Sequence, residues 1–133
     1  MNKKKKKILV VDDDKDLCNL ISDIMEGDGY SVKKVYDGNS ALNEILGCKY
    51  DVMIIDNKLT GISGINVIER TKYLNPDVRT IMISAYGNTN TKLKARDLGV
   101  YDFLDKPFDI KKLISRVGEL MFNPKTASMS LIY

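Results

Sequence analysis

A chain of 133 residues fits one compact domain around a single hydrophobic core and leaves little for a second. With 44% hydrophobic and 29% charged residues, and no apolar run near membrane-spanning length, it groups with globular proteins and not with disordered or membrane ones. The formal charge of +3 belongs to the N-terminus: Lys3 to Lys7 supply five of the 21 basic residues, leaving 16 against 18 acids, or −2, elsewhere.

The Met1 to Lys7 start has the basic flank of a signal peptide, but the apolar stretch behind it is only Ile8 to Val11, so a cytoplasmic location is expected. Five lysines without interleaved aromatics read as a solvated tail, with no specific nucleic-acid partner and no membrane partner. The first strand is predicted over Lys7–Val11 and ends in Asp12, Asp13 and Asp14. Leu17, Leu20, Ile21, Ile24 and Met25 then recur at helical spacing, closed by Gly27 and Gly29. A second strand over Ser31–Val35 leads to a second helix marked by Ala41, Leu42, Ile45 and Leu46. The third strand, Asp51–Ile55, runs into Asp56. Ile65, Val67, Ile68 and Tyr73 indicate a third helix, stopped by Asn75-Pro76-Asp77. The fourth strand, Thr80–Ser84, precedes a weaker helix around Leu93, Ala95 and Leu98, closed by Gly99. The fifth strand, Tyr101–Leu104, precedes a strong helix through Ile110, Leu113, Ile114, Val117, Leu120 and Met121, ended by Asn123-Pro124. This organisation places a basic tail at 1–6, a domain at 7–122 and a C-terminal tail at 123–133. Cys18 and Cys48 lack metal-type spacing and read as reduced thiols.

Short β-branched runs alternating with helical segments define an α/β fold with a doubly wound parallel sheet of five strands and five helices, flavodoxin-like. The first, third and fourth strands are apolar enough to be central, and the second and fifth look like edges. Ligands of such sheets bind beyond the carboxyl ends of the strands, where the strand order reverses. An order of 2-1-3-4-5 would set the first and third strands side by side and bring Asp12, Asp13 and Asp56 together. Three carboxylates within about 4 Å repel by several kcal/mol per pair at an effective dielectric of ~20, so the cluster needs a cation. Oxygen-only ligands select a hard ion: Mg²⁺, with Mn²⁺ as a substitute. Ser84 and Lys106 end two further strands. A metal ion beside a carboxylate, a hydroxyl and a lysine makes a receptacle for a phosphoryl group, with Asp56 as nucleophile, Ser84 as hydrogen-bond donor and Lys106 as point charge.

From Lys7 to Met121 the residues resemble the receiver domain of two-component response regulators. The resemblance is carried by Asp12-Asp13, by Asp56 followed by Gly61 and Gly64, by Ser84-Ala85 and by Lys106-Pro107-Phe108. The strand order 2-1-3-4-5 is that family's order. The resemblance implies that Asp13, Asp56 and the backbone carbonyl of Lys58 ligate Mg²⁺, with Asp12 assisting through water, and that Lys106-Pro107 is a cis peptide. It makes Ser84 and the aromatic at Phe103 a coupled switch. Thr60 stands where the family often has proline, a departure that removes no chemical group.

Without a histidine of its own the chain needs a phosphohistidine donor, a sensor histidine kinase. If the chain is full length, no room remains after Met121 for an output domain. Among receivers it is most similar to single-domain sporulation phosphorelay intermediates, through Lys58, the run Ser84-Ala85-Tyr86-Gly87 and the run from Lys106 to Ile110. That similarity implies relay to a histidine phosphotransferase, with self-catalysed phosphorylation and dephosphorylation secondary to signalling. Lys58 and Tyr86 would crowd an attacking water and slow hydrolysis. Leu17, Cys18, Pro107 and Phe108 would form an apolar rim for a partner.

The alternatives are a stand-alone regulator that signals by protein binding, or the receiver fragment of a DNA-binding regulator, which strongly salt-dependent DNA binding would reveal. A haloacid-dehalogenase-like phosphatase would use the Asp12 and Asp14 spacing but has Asp16 where Thr or Val belongs, and leaves Asp56 without a role. A calcium loop over Asp12, Asp14 and Asp16 fails on Leu17, which takes the place of the glycine.

Overall fold

The computed structural model describes residues 4–85 and 89–122. Five strands, β1 (Lys7–Val11), β2 (Ser31–Val35), β3 (Val52–Asp56), β4 (Arg79–Ser84) and β5 (Asp102–Asp105), alternate with five helices. These are α1 (Lys15–Gly27), α2 (Gly38–Gly47), α3 (Gly64–Leu74), α4 (Thr89–Asp97) and α5 (Ile110–Phe122). All strand pairs are parallel, as the alternation predicts, and the sheet order is β2-β1-β3-β4-β5, the order expected of this doubly wound sheet.

The two-residue period of a strand explains why the central runs are apolar throughout. Leu9, Val11, Met53, Ile55, Met82 and Phe103 face one side, where they meet Ala41, Leu42 and Ile45 of α2, Val67 and Ile68 of α3 and Ala95 of α4. Ile8, Val10, Val52, Ile54, Ile81, Ile83 and Leu104 face the other, against Cys18, Ile21 and Met25 of α1 and Leu113, Val117 and Leu120 of α5. Each fully buried aliphatic side chain contributes roughly 1.5–3 kcal/mol, so this double layer carries the domain.

Side chains cap three of the helices. Asp14 accepts from Leu17 N at the start of α1, Asp37 from Ser40 N at α2 and Ser63 from Asn66 N at α3. One of the three adjacent aspartates is therefore a cap. β3 and β5 each run one residue further than their apolar stretches suggest, because the ladder continues through Asp56, which pairs with Ile83, and Asp105, which pairs with Ser84.

Several apolar positions differ from the helical pattern. Tyr73 is 90% exposed, and Thr71 takes the inward position on α3, its hydroxyl donating to Val67 O at 2.8 Å. Leu20 and Leu46 are also exposed, whereas Ser22 is buried on α1. A buried hydroxyl can satisfy itself on its own helix, as Thr71 does, so periodicity in apolar residue types misses it. Among the described residues no helix is long and apolar enough to cross a membrane.

A polar network joins β5 to α5. Arg116 Nε donates to Asp102 Oδ2 at 2.6 Å, Arg116 also pairs with Glu119 at 3.2 Å, and the Tyr101 hydroxyl donates to Glu119. Burial, and then the bond to Glu119, push the Tyr101 phenol up to about 12. A folded pKa above the unfolded one contributes stability below the unfolded value of about 10, lost as pH rises through the folded value. Tyr101→Phe should therefore lose less stability than the wild type between pH 10 and 12, as read by urea denaturation across that range. Equal losses would show that this phenol is not held by Glu119.

Candidate functional site

β1 and β3 are neighbours, so their carboxyl ends deliver Asp12, Asp13 and Asp56 to one place. A carboxylate oxygen from each lies within 4.8 Å of the others. Asp12 is fully buried and Asp56 is 4% exposed, while Asp13 is open to solvent. The backbone fixes both buried acids. Asp12 Oδ1 accepts from Asp14 N at 2.9 Å, and Asp56 Oδ1 accepts from Lys58 N at 3.1 Å. Both bonds reach two residues forward and fold the chain sharply away from the strand end.

Lys106 enters from the end of β5. Its Nζ lies 2.7 Å from Asp12 Oδ2 and 3.0 Å from Asp56 Oδ2, with its side chain 20% exposed. Burial is the largest influence on Asp12 and raises its pKa above the ordinary carboxylate value, against the opposing hydrogen bond from Lys106. Burial also works against the Lys106 ammonium, but the hydrogen bonds to Asp12 and Asp56 and their charges outweigh it and raise its pKa. One ammonium against three carboxylates leaves the cluster short of positive charge. The donors are all oxygen, one acid is solvent-facing, and the spacing suits shared ligation, so the residues fit a hard divalent cation.

Ser84 closes β4, 5% exposed, and its carbonyl accepts from Lys106 N at 2.7 Å. Its register places it one residue beyond the level of Asp56. Lys106-Pro107 is cis. Phe103 is 9% exposed, with its ring in the core layer that includes α3 and α4. Lys58 is exposed beside the site, and Tyr86 lies outside the described residues.

The expected apolar rim needs one correction. Leu17 and Phe108 are half-buried and Pro107 is exposed, but Cys18 is fully buried and cannot present a surface. Its Sγ donates to Asp12 O at 3.3 Å, and burial pushes its thiol up to about 11, so it braces the acid loop from below. The helical period carries Cys18 inward with Ile21 and Met25.

Sequence reasoning missed Asn57. Its side-chain oxygen accepts from Ile65 N at 3.1 Å, and its carbonyl accepts from Gly64 N at 2.9 Å, so it ties the loop carrying Lys58 to the first turn of α3. The signal was its place directly after the acid, at the foot of a short loop that holds Gly61 and ends at Gly64, the first residue of α3.

The strand order and this acid, hydroxyl and lysine arrangement define a receiver, and residues 8–118 match the response regulator receiver domain. The chain belongs to that family and is a receiver domain of a two-component system. It is 36% identical over 109 residues to the nitrogen assimilation regulatory protein NtrX of Azorhizobium caulinodans, covering 80% of this chain and 24% of that protein. It is 30% identical over 115 residues to sporulation initiation phosphotransferase F of Bacillus subtilis, covering 86% of this chain and 93% of that protein. The crystal structure of response regulator TrrA from Thermotoga maritima, in complex with Mg²⁺ and BeF, is similar at a TM-score of 0.78 and 28% identity, over 86% of this chain and 98% of that one. The chain spans between 24% and 50% of the length of the first curated relatives it matches.

Proposed function

We propose that Asp56 accepts a phosphoryl group from the phosphohistidine of a sensor histidine kinase and that the module, residues 7–122 between its two tails, relays it to a histidine phosphotransferase. The observation that carries the first half is the Lys106 ammonium held between the buried carboxylates of Asp12 and Asp56, with Asp13 beside them. In the forward step an Asp56 oxygen attacks phosphorus, the phosphorus–nitrogen bond breaks, and the departing imidazole leaves with the bonding pair. Relay is the reverse step with a second imidazole. Lys106 then exchanges its contacts with the acids for a phosphoryl oxygen, and the Ser84 hydroxyl donates to another. Asp13, Asp56 and the Lys58 carbonyl would hold Mg²⁺, with Asp12 through water, and the ion would neutralise charge on the phosphoryl oxygens.

The relay half is supported by the likeness to sporulation initiation phosphotransferase F across 93% of that protein. These 133 residues hold no histidine, so both imidazoles lie outside them. A second reading, the receiver module of a longer transcription regulator, is favoured by the likeness to NtrX over 24% of that protein. Incubating phosphorylated protein with a purified histidine phosphotransferase decides between them. Label that moves reversibly to histidine supports relay, and label that stays on Asp56 supports the regulator.

Two predictions belong to this reading. Mg²⁺ at millimolar concentration should raise Tm by a few degrees, as a ligand that binds only the folded state does, and Asp13→Asn should abolish the shift. An equal shift in that variant would remove Asp13 from the metal site. Replacing Lys58 and Tyr86 together by alanine should speed loss of the phosphate, measured by intact mass over time. An unchanged rate would contradict their shielding of the acyl phosphate.

A further inference from the structure

On α4, the Lys92 side chain reaches the end of β5. Its Nζ lies 3.1 Å from Asp105 Oδ2 and 5.3 Å from the centroid of the Phe103 ring. Phe103 and Asp105 are two apart on a strand and so share one side of it, and a single ammonium covers both. Lys106, the next residue, reaches the opposite way into the acid site, held by its backbone bond to Ser84 O at 2.7 Å. α4 itself has a weak apolar hold on the body, with Ala95 as its buried residue and Leu93 37% exposed.

We propose that Lys92 is a positioning residue for phosphoryl transfer: it pins α4 onto Phe103 and Asp105, keeps the Phe103 ring inward, and so fixes the strand end from which Lys106 reaches Asp12 and Asp56. This rests on the reading of Asp56 as phosphoacceptor. Lys92 touches none of the reacting atoms and acts through β5.

An exposed ion pair or cation–π contact each changes an equilibrium by only a few fold, so the two together give on the order of tenfold. The test compares wild type, Lys92→Gln and Lys92→Arg by hydrogen exchange of residues 89–106 and by the rate of phosphate adduct formation with acetyl phosphate and Mg²⁺. Lys92→Gln should exchange about three- to tenfold faster there and form adduct about threefold more slowly, with Tm nearly unchanged, and Lys92→Arg should restore both. A wild-type adduct with unaltered exchange or unaltered rate in Lys92→Gln overturns the inference alone, as does a failure of Lys92→Arg to rescue. No adduct on the wild type overturns the phosphoacceptor reading and this inference with it.

Discussion

Gly64→Ala is expected to unfold roughly 10 °C below the wild type, from a loss of about 3 kcal/mol, and to take up phosphate slowly even when folded. A Cβ on Gly64 would sit 2.4 Å from Asp56 O and 2.8 Å from Asn57 Cα. Both are backbone atoms of the Asp56–Asn57 segment, so no rotamer change can relieve the clash. The first turn of α3 is bound there by Gly64 N to Asn57 O and by Ile65 N to the Asn57 side chain. Either α3 retreats and breaks those bonds, or the Asp56–Asn57 peptide moves and takes the carboxylate with it. Gly118, mid-helix in α5 with nothing within 4 Å of a built Cβ, is the control. Gly118→Ala should stabilise by up to about 1 kcal/mol, since alanine is the better helix former. Thermal melts of the two variants measure both effects, and a Gly64→Ala melt matching the wild type would contradict the predicted clash with the Asp56–Asn57 backbone.

Lys106→Met should destabilise the metal-free protein by about 3 kcal/mol at pH 7, because it leaves Asp12 and Asp56 buried without the cation between them. The same variant should gain more from Mg²⁺ than the wild type does, since the ion then meets an uncompensated cluster. Its phosphorylation should slow about a hundredfold, the usual effect of removing one preorganised charge from a transition state. The pH dependence has a definite sign. A lysine pKa raised by folding contributes stability below its unfolded value of about 10.4, lost as pH rises through the folded value, so Lys106→Met should lack that alkaline loss. Urea denaturation with and without Mg²⁺ measures these effects. Equal stability of variant and wild type without Mg²⁺ would mean the ion pair is not holding the site together.

The sheet was legible because its central strands are buried on both faces, which demands unbroken apolar runs such as Ile8 to Val11 and Val52 to Ile55. Acids at the ends of such runs were conspicuous for the same reason, and the order β2-β1-β3 brings them together. Less legible were residues whose role depends on direction. Cys18 lies beside the site in sequence, yet the helix turns it under Asp12. Tyr73 fits the apolar period of α3 but stands in solvent, while Thr71 goes inward. Asn57 looked like a loop residue, and only the folded loop shows its side chain holding the start of α3. Lys92 lies in a helix with almost no apolar signal, and its contacts with Phe103 and Asp105 on the following strand depend on how α4 packs.

The role of Asp56 is read out by intact mass after incubation with acetyl phosphate and Mg²⁺, for the wild type and Asp56→Asn side by side. A single phosphate adduct on the wild type, dependent on Mg²⁺ and absent from Asp56→Asn, is the predicted result. An adduct that persists in Asp56→Asn, or none on the wild type, would contradict Asp56 as the phosphoacceptor.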